Sequence, residues 1–230
     1  MRTILLSTTY FGPVQWYQKL YRAERVEIER WESFQKQTYR NRCLIATTQG
    51  VQALTVPIER STVNYIKDIR ISDHGNWRHL HWNALVSAYG ESPFFDYYQD
   101  DLRPFFEQRW EFLFEFNEAI RKKICELIDI QPRVSYSLEF RVESLEFPTG
   151  LQAGSEPSAD SRAVANSKLS TLNSRLSDYR SVITPKHPAP DPDFTPKPYY
   201  QVHQQKHGFL PNLSILDLLF NLGPESIFYL

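Results

Sequence analysis

The 230-residue sequence is poor in cysteine, methionine and glycine, with two, one and eight of them. Cys43 and Cys125 lie in apolar surroundings, with no cysteine or histidine at metal-ligand spacing. That argues against a disulfide framework or zinc site, and for two small buried hydrophobes in a reducing compartment. A Gly-rich phosphate loop, a His-Glu-x-x-His helix and a nucleophile elbow are all missing, which excludes the enzyme classes those motifs mark. An excess of one charge is missing too. Lys and Arg number 26 and Asp and Glu 27, a formal net charge of −1. This argues against a general binder of nucleic acid or membrane surfaces. No apolar run approaches a membrane span, and residues 1–7 are too short for a signal-peptide core. The expectation is a cytoplasmic protein with no metal, no cofactor, no nucleic-acid partner and no membrane span.

Aromatics are plentiful at 14%, enough to fill a core or line a pocket that stacks on sugars or rings. The chain length fits one domain, 1–230, with a large insertion inside it. Its organising stretch is 39–57. Cys43-Leu44-Ile45-Ala46 and 51–56 read as strands, Gly50 supplies the positive φ of a turn over 47–50, and Pro57 ends the second strand. Before it, 3–7 reads as a buried central strand, Gly12-Pro13 as a turn, 14–23 as a helix and 25–31 as a second strand. This is a βαβ beginning that favours parallel pairing. After it, 66–71 reads as a strand, 77–89 as a helix stopped at Gly90, 102–128 as one long helix and 133–140 as a strand. Eight of the fifteen prolines fall in 148–198, so that stretch reads as a mobile loop or insertion. It includes a weak helix over 168–180 and extended chain over 185–198. Order returns with a strand at 199–203 and a helix over 214–221, capped by Asn212 or Ser214. The fold class is α/β. A mixed central sheet opens with a βα unit and a β-hairpin, is flanked by helices, and is followed by a long flexible Pro/Ser-rich loop before the C-terminal strand and helix.

Several side chains carry chemistry, each with two readings. Arg40-Asn41-Arg42 enters the hairpin as a donor-rich patch for a carboxylate or phosphate, or as ordinary surface at a strand start. Tyr10, Phe11 and Gly12 follow the first strand. There, a helix N-terminus near Val14 either faces a ligand crevice or closes a plain turn. Trp77, His81, Leu85 and Ala88 share one helical face, and Arg78, Trp82, Leu85 and Tyr89 another. His81 is a general base or a packed histidine with one hydrogen bond. Tyr200, Gln201, His203, Lys206 and His207 form a substrate lid or an edge strand. Asp217, inside an apolar run, either caps its helix from Ser214 or pairs with a buried cation.

Four blocks together are similar to the WbqC-like family: Tyr10-Phe11-Gly12-Pro13 with Trp16-Tyr17; Asn41-Arg42 through Gln49-Gly50 to Leu54-Thr55-Val56-Pro57; Trp77-Arg78 through Trp82 and Tyr89 to Pro93-Phe94-Phe95-Asp96; and Gly208-Phe209-Leu210-Pro211-Asn212 through Asp217 to Asn221. Two departures stand out. Thr8-Thr9 occupies the place of a His-Gln-Pro-type segment, and a Tyr-Leu-Ser-Gly-type block before the last strand is missing. The resemblance implies a role in bacterial surface-polysaccharide (O-antigen) biosynthesis, with acyl or glycyl-type aminoacyl transfer onto an amino sugar. On that reading the partners are an amino-sugar or nucleotide-sugar substrate and an acyl donor. Tyr10, Asn41, Arg42, Trp77, Tyr89, Tyr200, Gln201 and Asp217 are expected to bind substrate, and His81 or His203 to take the amine proton. The alternative is a non-catalytic binding or assembly protein engaging a glycan-biosynthesis partner enzyme through the proline-rich loop and aromatic surface.

Overall fold

The computed structural model describes residues 3–60, 62, 64–137, 176–186 and 188–230. Most of the stretch expected to be a mobile loop, and the first part of the helix expected over 168–180, lie outside these residues.

Strand β1 (Thr3–Ser7) runs between β2 (Arg25–Glu29) and β6 (Leu176–Asp178), and β5 (Val134–Tyr136) lies beyond β2. All three pairings are parallel. Ile4, Leu5 and Leu6 are buried in succession, as expected of a strand with neighbours on both edges and cover on both faces. Helix α1 (Val14–Arg22) connects β1 to β2 and buries Val14, Trp16, Tyr17 and Leu20. The βαβ opening is therefore as expected. Leu176–Asp178 is extended, where the weak helix was expected to end.

Strands β3 (Arg42–Thr47) and β4 (Gly50–Thr55) form the antiparallel hairpin, with Thr47 opposite Gly50. Gly50 takes φ +105° at the turn, as anticipated. The hairpin stands as its own two-stranded sheet beside the parallel one.

Three expectations fail, each for a readable reason. Over 66–71 the chain forms a single 3₁₀ turn, Ile66–Asp68, and not a strand. Ile66 and Ile69 are both buried. A helical turn puts positions i and i+3 on one side, whereas a strand would send them to opposite faces. The expected 102–128 helix is broken. Helices α2 (Trp77–Tyr89), α3 (Phe95–Leu102), α4 (Pro104–Glu107) and α5 (Leu113–Leu127) follow one another, with 108–112 extended or bent. In that break the Glu111 carbonyl accepts from the Ile71 N–H, and the Leu113 N–H donates to the Ile69 carbonyl. The backbone is thus committed to a neighbouring segment and not to a helix. Finally, 199–203 is unpaired chain ahead of a single helical turn, α6 (Gln204–His207). There the Gln201 and Val202 N–H groups donate to the Gln204 and Asn221 side chains and to no strand.

Helix α7 (Ile215–Leu222) lies at the centre of the core, with Ile215, Leu216, Leu218, Leu219 and Phe220 fully buried. Ser214 caps it by accepting from the Leu216 N–H. Asn212 caps a different helix: its Oδ1 accepts from the Gln15 N–H of α1 at 2.9 Å, beside a Val14 N–H to Leu213 carbonyl bond. Among the described residues no helix is long and apolar enough to cross a membrane.

Candidate active-site crevice

Four parallel strands end on the same side of the sheet, and their ends carry polar chemistry. The register sets Ser7 beside Glu29, Ile28 beside Tyr136, and Leu5 beside Asp178. In open parallel sheets this edge is where ligands sit. Ser7 Oγ donates to Glu32 at 3.2 Å and accepts from Arg40 Nη2 at 2.8 Å. Arg40 grips Glu32 with two prongs, at 2.7 and 2.6 Å. Glu29 Oε1 accepts from the Trp31 N–H at 2.7 Å and from Ser137 Oγ at 2.5 Å. Arg180 forks onto Asp178, and its Nη1 stands 3.8 Å from Glu32 and 4.0 Å from Glu29. The crevice thus gathers three carboxylates, Glu29, Glu32 and Asp178, against two guanidiniums, Arg40 and Arg180. It has an acidic surplus of one.

A cavity of about 10 Å³ opens between Ser7, Thr8, Thr9, Arg40 and Arg180, room for about one water. The hydroxyls of Thr8 and Thr9 are buried there without a hydrogen-bond partner. Thr9 packs so closely on Gly12 that any Cβ at position 12 would collide with its hydroxyl.

The residues singled out from sequence distribute over two buried clusters and four separate positions. Tyr10, His81 and Trp77 pack together in the core. The Tyr10 hydroxyl meets His81 Nδ1 at 2.9 Å, and the Trp77 ring lies edge-on to His81. Burial pushes the His81 imidazole down to about 4, so it is neutral near pH 7. Tyr89, Gln201 and Asp217 form the second cluster, joined by Tyr199. Asp217 accepts from the Tyr89 and Tyr199 hydroxyls and from Gln201 Nε2, at 2.9, 2.7 and 2.8 Å. It therefore neither caps α7 from Ser214 nor pairs with a cation. Burial raises its carboxyl, and the three donors oppose that rise. Asn41 donates to the Val56 carbonyl, Arg42 to Thr55 Oγ1 across the hairpin, and His203 Nε2 lies 2.9 Å from the Ala88 carbonyl. Tyr200 is exposed. The α1 N-terminus does not face a crevice, since Asn212 and Leu213 occupy its N–H groups.

The sequence profile of the WbqC-like protein family matches residues 8–159 and 192–229. This chain belongs to that family. It is 28% identical over 200 residues to the uncharacterized protein Rv1507c of Mycobacterium tuberculosis, spanning 86% of this chain and 83% of that relative. No solved structure matches. In this WbqC-like chain the family's first block, Tyr10 to Pro13, runs directly out of the crevice. Thr8-Thr9, just before that block, supplies the two unpartnered hydroxyls. Glu29, Glu32, Ser137, Asp178 and Arg180 were not singled out from sequence. Ser7 had a usable signal, since it ends the first strand, whereas Glu29 fell inside the strand read over 25–31 and ends it only in the structure. Arg180 had none, because it lies in the proline-rich stretch.

Among the described residues no three His, Cys, Asp or Glu side chains converge as ligands for a metal ion.

Proposed function

We propose that this protein is an acyl- or aminoacyltransferase acting on an amino-sugar precursor of bacterial surface polysaccharide, with the substrate amine received in the crevice at the strand ends. The observation that carries this reading is the acidic surplus of Glu29, Glu32 and Asp178 over Arg40 and Arg180, beside the unpartnered hydroxyls of Thr8 and Thr9. At the strand ends that surplus favours an amine over an anion, and the two threonine hydroxyls of the neighbouring cavity, whose own lining holds Arg40 and Arg180, offer hydrogen bonds to sugar hydroxyls. Glu32 is fixed by Arg40, whereas Glu29 Oε2 has only the distant Arg180. Glu29 Oε2 is therefore the carboxylate oxygen left open to an incoming N–H. The amine attacks the acyl carbon of the donor, the new C–N bond forms, and the bond to the leaving group breaks with its electron pair. The amine proton passes to Glu29. This role replaces the one expected for His81 or His203, whose rings are engaged elsewhere. Family membership supports the glycan setting.

The test is mass-spectrometric detection of N-acylated product from a nucleotide-linked amino sugar and an aminoacyl thioester, with Glu29→Gln run in parallel. Product from the wild-type protein, lost in a folded Glu29→Gln variant, upholds the reading. Equal turnover by the variant, or equal binding of the free amino sugar and its N-acetyl form, overturns it. The engagement of both expected histidine bases, His81 with Tyr10 and His203 with the Ala88 carbonyl, favours a second reading, a binding protein of the same pathway. Amino-sugar binding without turnover by any donor would select it.

A further inference from the structure

A second recess, of about 380 Å³, lies where the start of α2 meets α4 and the 108–112 break. Asp73, Arg78, Trp82, Arg103, Phe106 and Arg109 line it, and it shares no lining residue with the crevice cavity. Its charge has the opposite sense. Three guanidiniums, Arg78, Arg103 and Arg109, face two carboxylates, Asp73 and Glu107. Arg78 is the least satisfied of them. Its Nη1 donates to Asp73 at 2.6 Å, yet Nε and Nη2 are buried with no hydrogen-bond partner. Buried guanidinium donors left unpaired are costly, and a forked pair of them matches two oxygens of one phosphate or carboxylate. Helix α2 also starts here, and Asn76 gives it no side-chain cap, so its partial positive charge adds to that of the arginines. The other wall is aromatic: half-buried Trp82 stands 5.5 Å from Phe106, ring to ring.

We propose that this recess binds a phosphate or diphosphate ester, with the phosphate on the arginines and its ring body against Trp82. The guanidinium of Arg78, which lies 4.7 Å from the Trp77 ring, turns its buried, unpartnered edge to the phosphate, which also draws Arg109 and Arg103 from their exposed partners. The ring covers the indole face. The site stands apart from the amine crevice, so it holds or fails independently of the transferase reading.

Titration calorimetry on the full chain tests it, with inorganic pyrophosphate, adenosine diphosphate and adenosine as probes at low and high salt. Pyrophosphate and adenosine diphosphate are expected to bind one-to-one and more weakly at high salt. Adenosine alone should bind poorly. Arg103→Ala combined with Arg109→Ala, at two exposed positions, should weaken both by about tenfold or more. Arg78→Lys, a point charge in place of a fork, should do the same. Trp82→Leu should remove the advantage of adenosine diphosphate over pyrophosphate and leave pyrophosphate unchanged. Wild-type protein that binds neither phosphate probe overturns the proposal. So do arginine variants that bind as wild type while circular dichroism shows them folded.

Discussion

Arg40 and Glu32 meet as a two-pronged ion pair with both side chains almost wholly out of water, 4% and 7% exposed. Ser7 Oγ contacts both and ties the pair to the end of β1. With neither charge solvated, removing one strands the other. Arg40→Met is expected to lower stability by about 3–5 kcal/mol, and the apolar double replacement, Arg40→Met with Glu32→Leu, by less than that single change. A double-mutant cycle by urea denaturation measures this. Single losses that simply add in the double variant would show that the two charges are not coupled.

His81 predicts a pH dependence. Its native imidazole is pushed from 6.5 down to about 4 by burial, so the unfolded chain binds the extra proton between those values. The native state therefore holds its full advantage above pH 6.5 and loses it as the pH falls toward 4, by up to about 3 kcal/mol. Urea midpoints measured across that window should fall less steeply in His81→Gln than in the wild type. Parallel curves would remove His81 as the source.

Asp217 has the opposite sign. Its carboxyl is raised, so protonation favours the native state, and the charged form depends on its donors. Tyr199→Phe removes one of three and is expected to cost about 1–3 kcal/mol near neutral pH. The deficit should shrink as the pH is lowered and Asp217 takes up a proton. A deficit that is constant with pH would point to lost ring packing instead.

Asn212 serves α1 from across the chain and holds φ +54°. Asn212→Gly loses the cap and the Nδ2 bond to Gln15 Oε1, about 1–2 kcal/mol, while Asn212→Ala loses the same bonds and keeps a Cβ in the left-handed region without the asparagine's polar compensation, and should cost roughly 1 kcal/mol more. Thermal melts of the two variants rank them. The reverse order would mean that chain entropy outweighs the backbone strain.

Both thiols are buried, and Cys125 is pushed up to about 11. Neither should react with a thiol reagent in the native protein at mildly alkaline pH, and both should react in denaturant. Fast labelling of folded protein would show that the core opens locally.

The sequence was most legible where local rules and burial agree. Val14–Arg22 shows strong periodicity and the Arg42 to Thr55 hairpin a specific turn residue, while Trp77–Tyr89 exposes Leu80 and Val86 yet keeps its buried stripe of Trp77, His81, Leu85 and Ala88 at helical spacing. It was less legible where distant backbone claimed the hydrogen bonds, as at 108–112 and 199–203. The crevice was half legible. The rule that ligands sit beyond strand ends pointed to the right edge of the sheet, and the Arg40-Asn41-Arg42 patch held the arginine that grips a carboxylate, which is Arg40, while Arg42 lies across the hairpin from Thr55. Alternation along one strand cannot reveal which of two neighbouring arginines turns inward when the partner sits on a different loop.

The central strand pairs on one side with residues about a turn and a helix away, and on the other with Leu176–Asp178. During folding the two edges of β1 therefore close on different clocks. The near edge needs only a local crossover, while the far edge must wait for the long intervening chain to be looped in, the slower step by contact order. Until then β1 presents an unpaired edge, the kind of surface through which folding chains associate with one another. Asp178 and Arg180 arrive with that late strand, so the sheet acquires its hydrophobic centre before it acquires the full set of charges at its head.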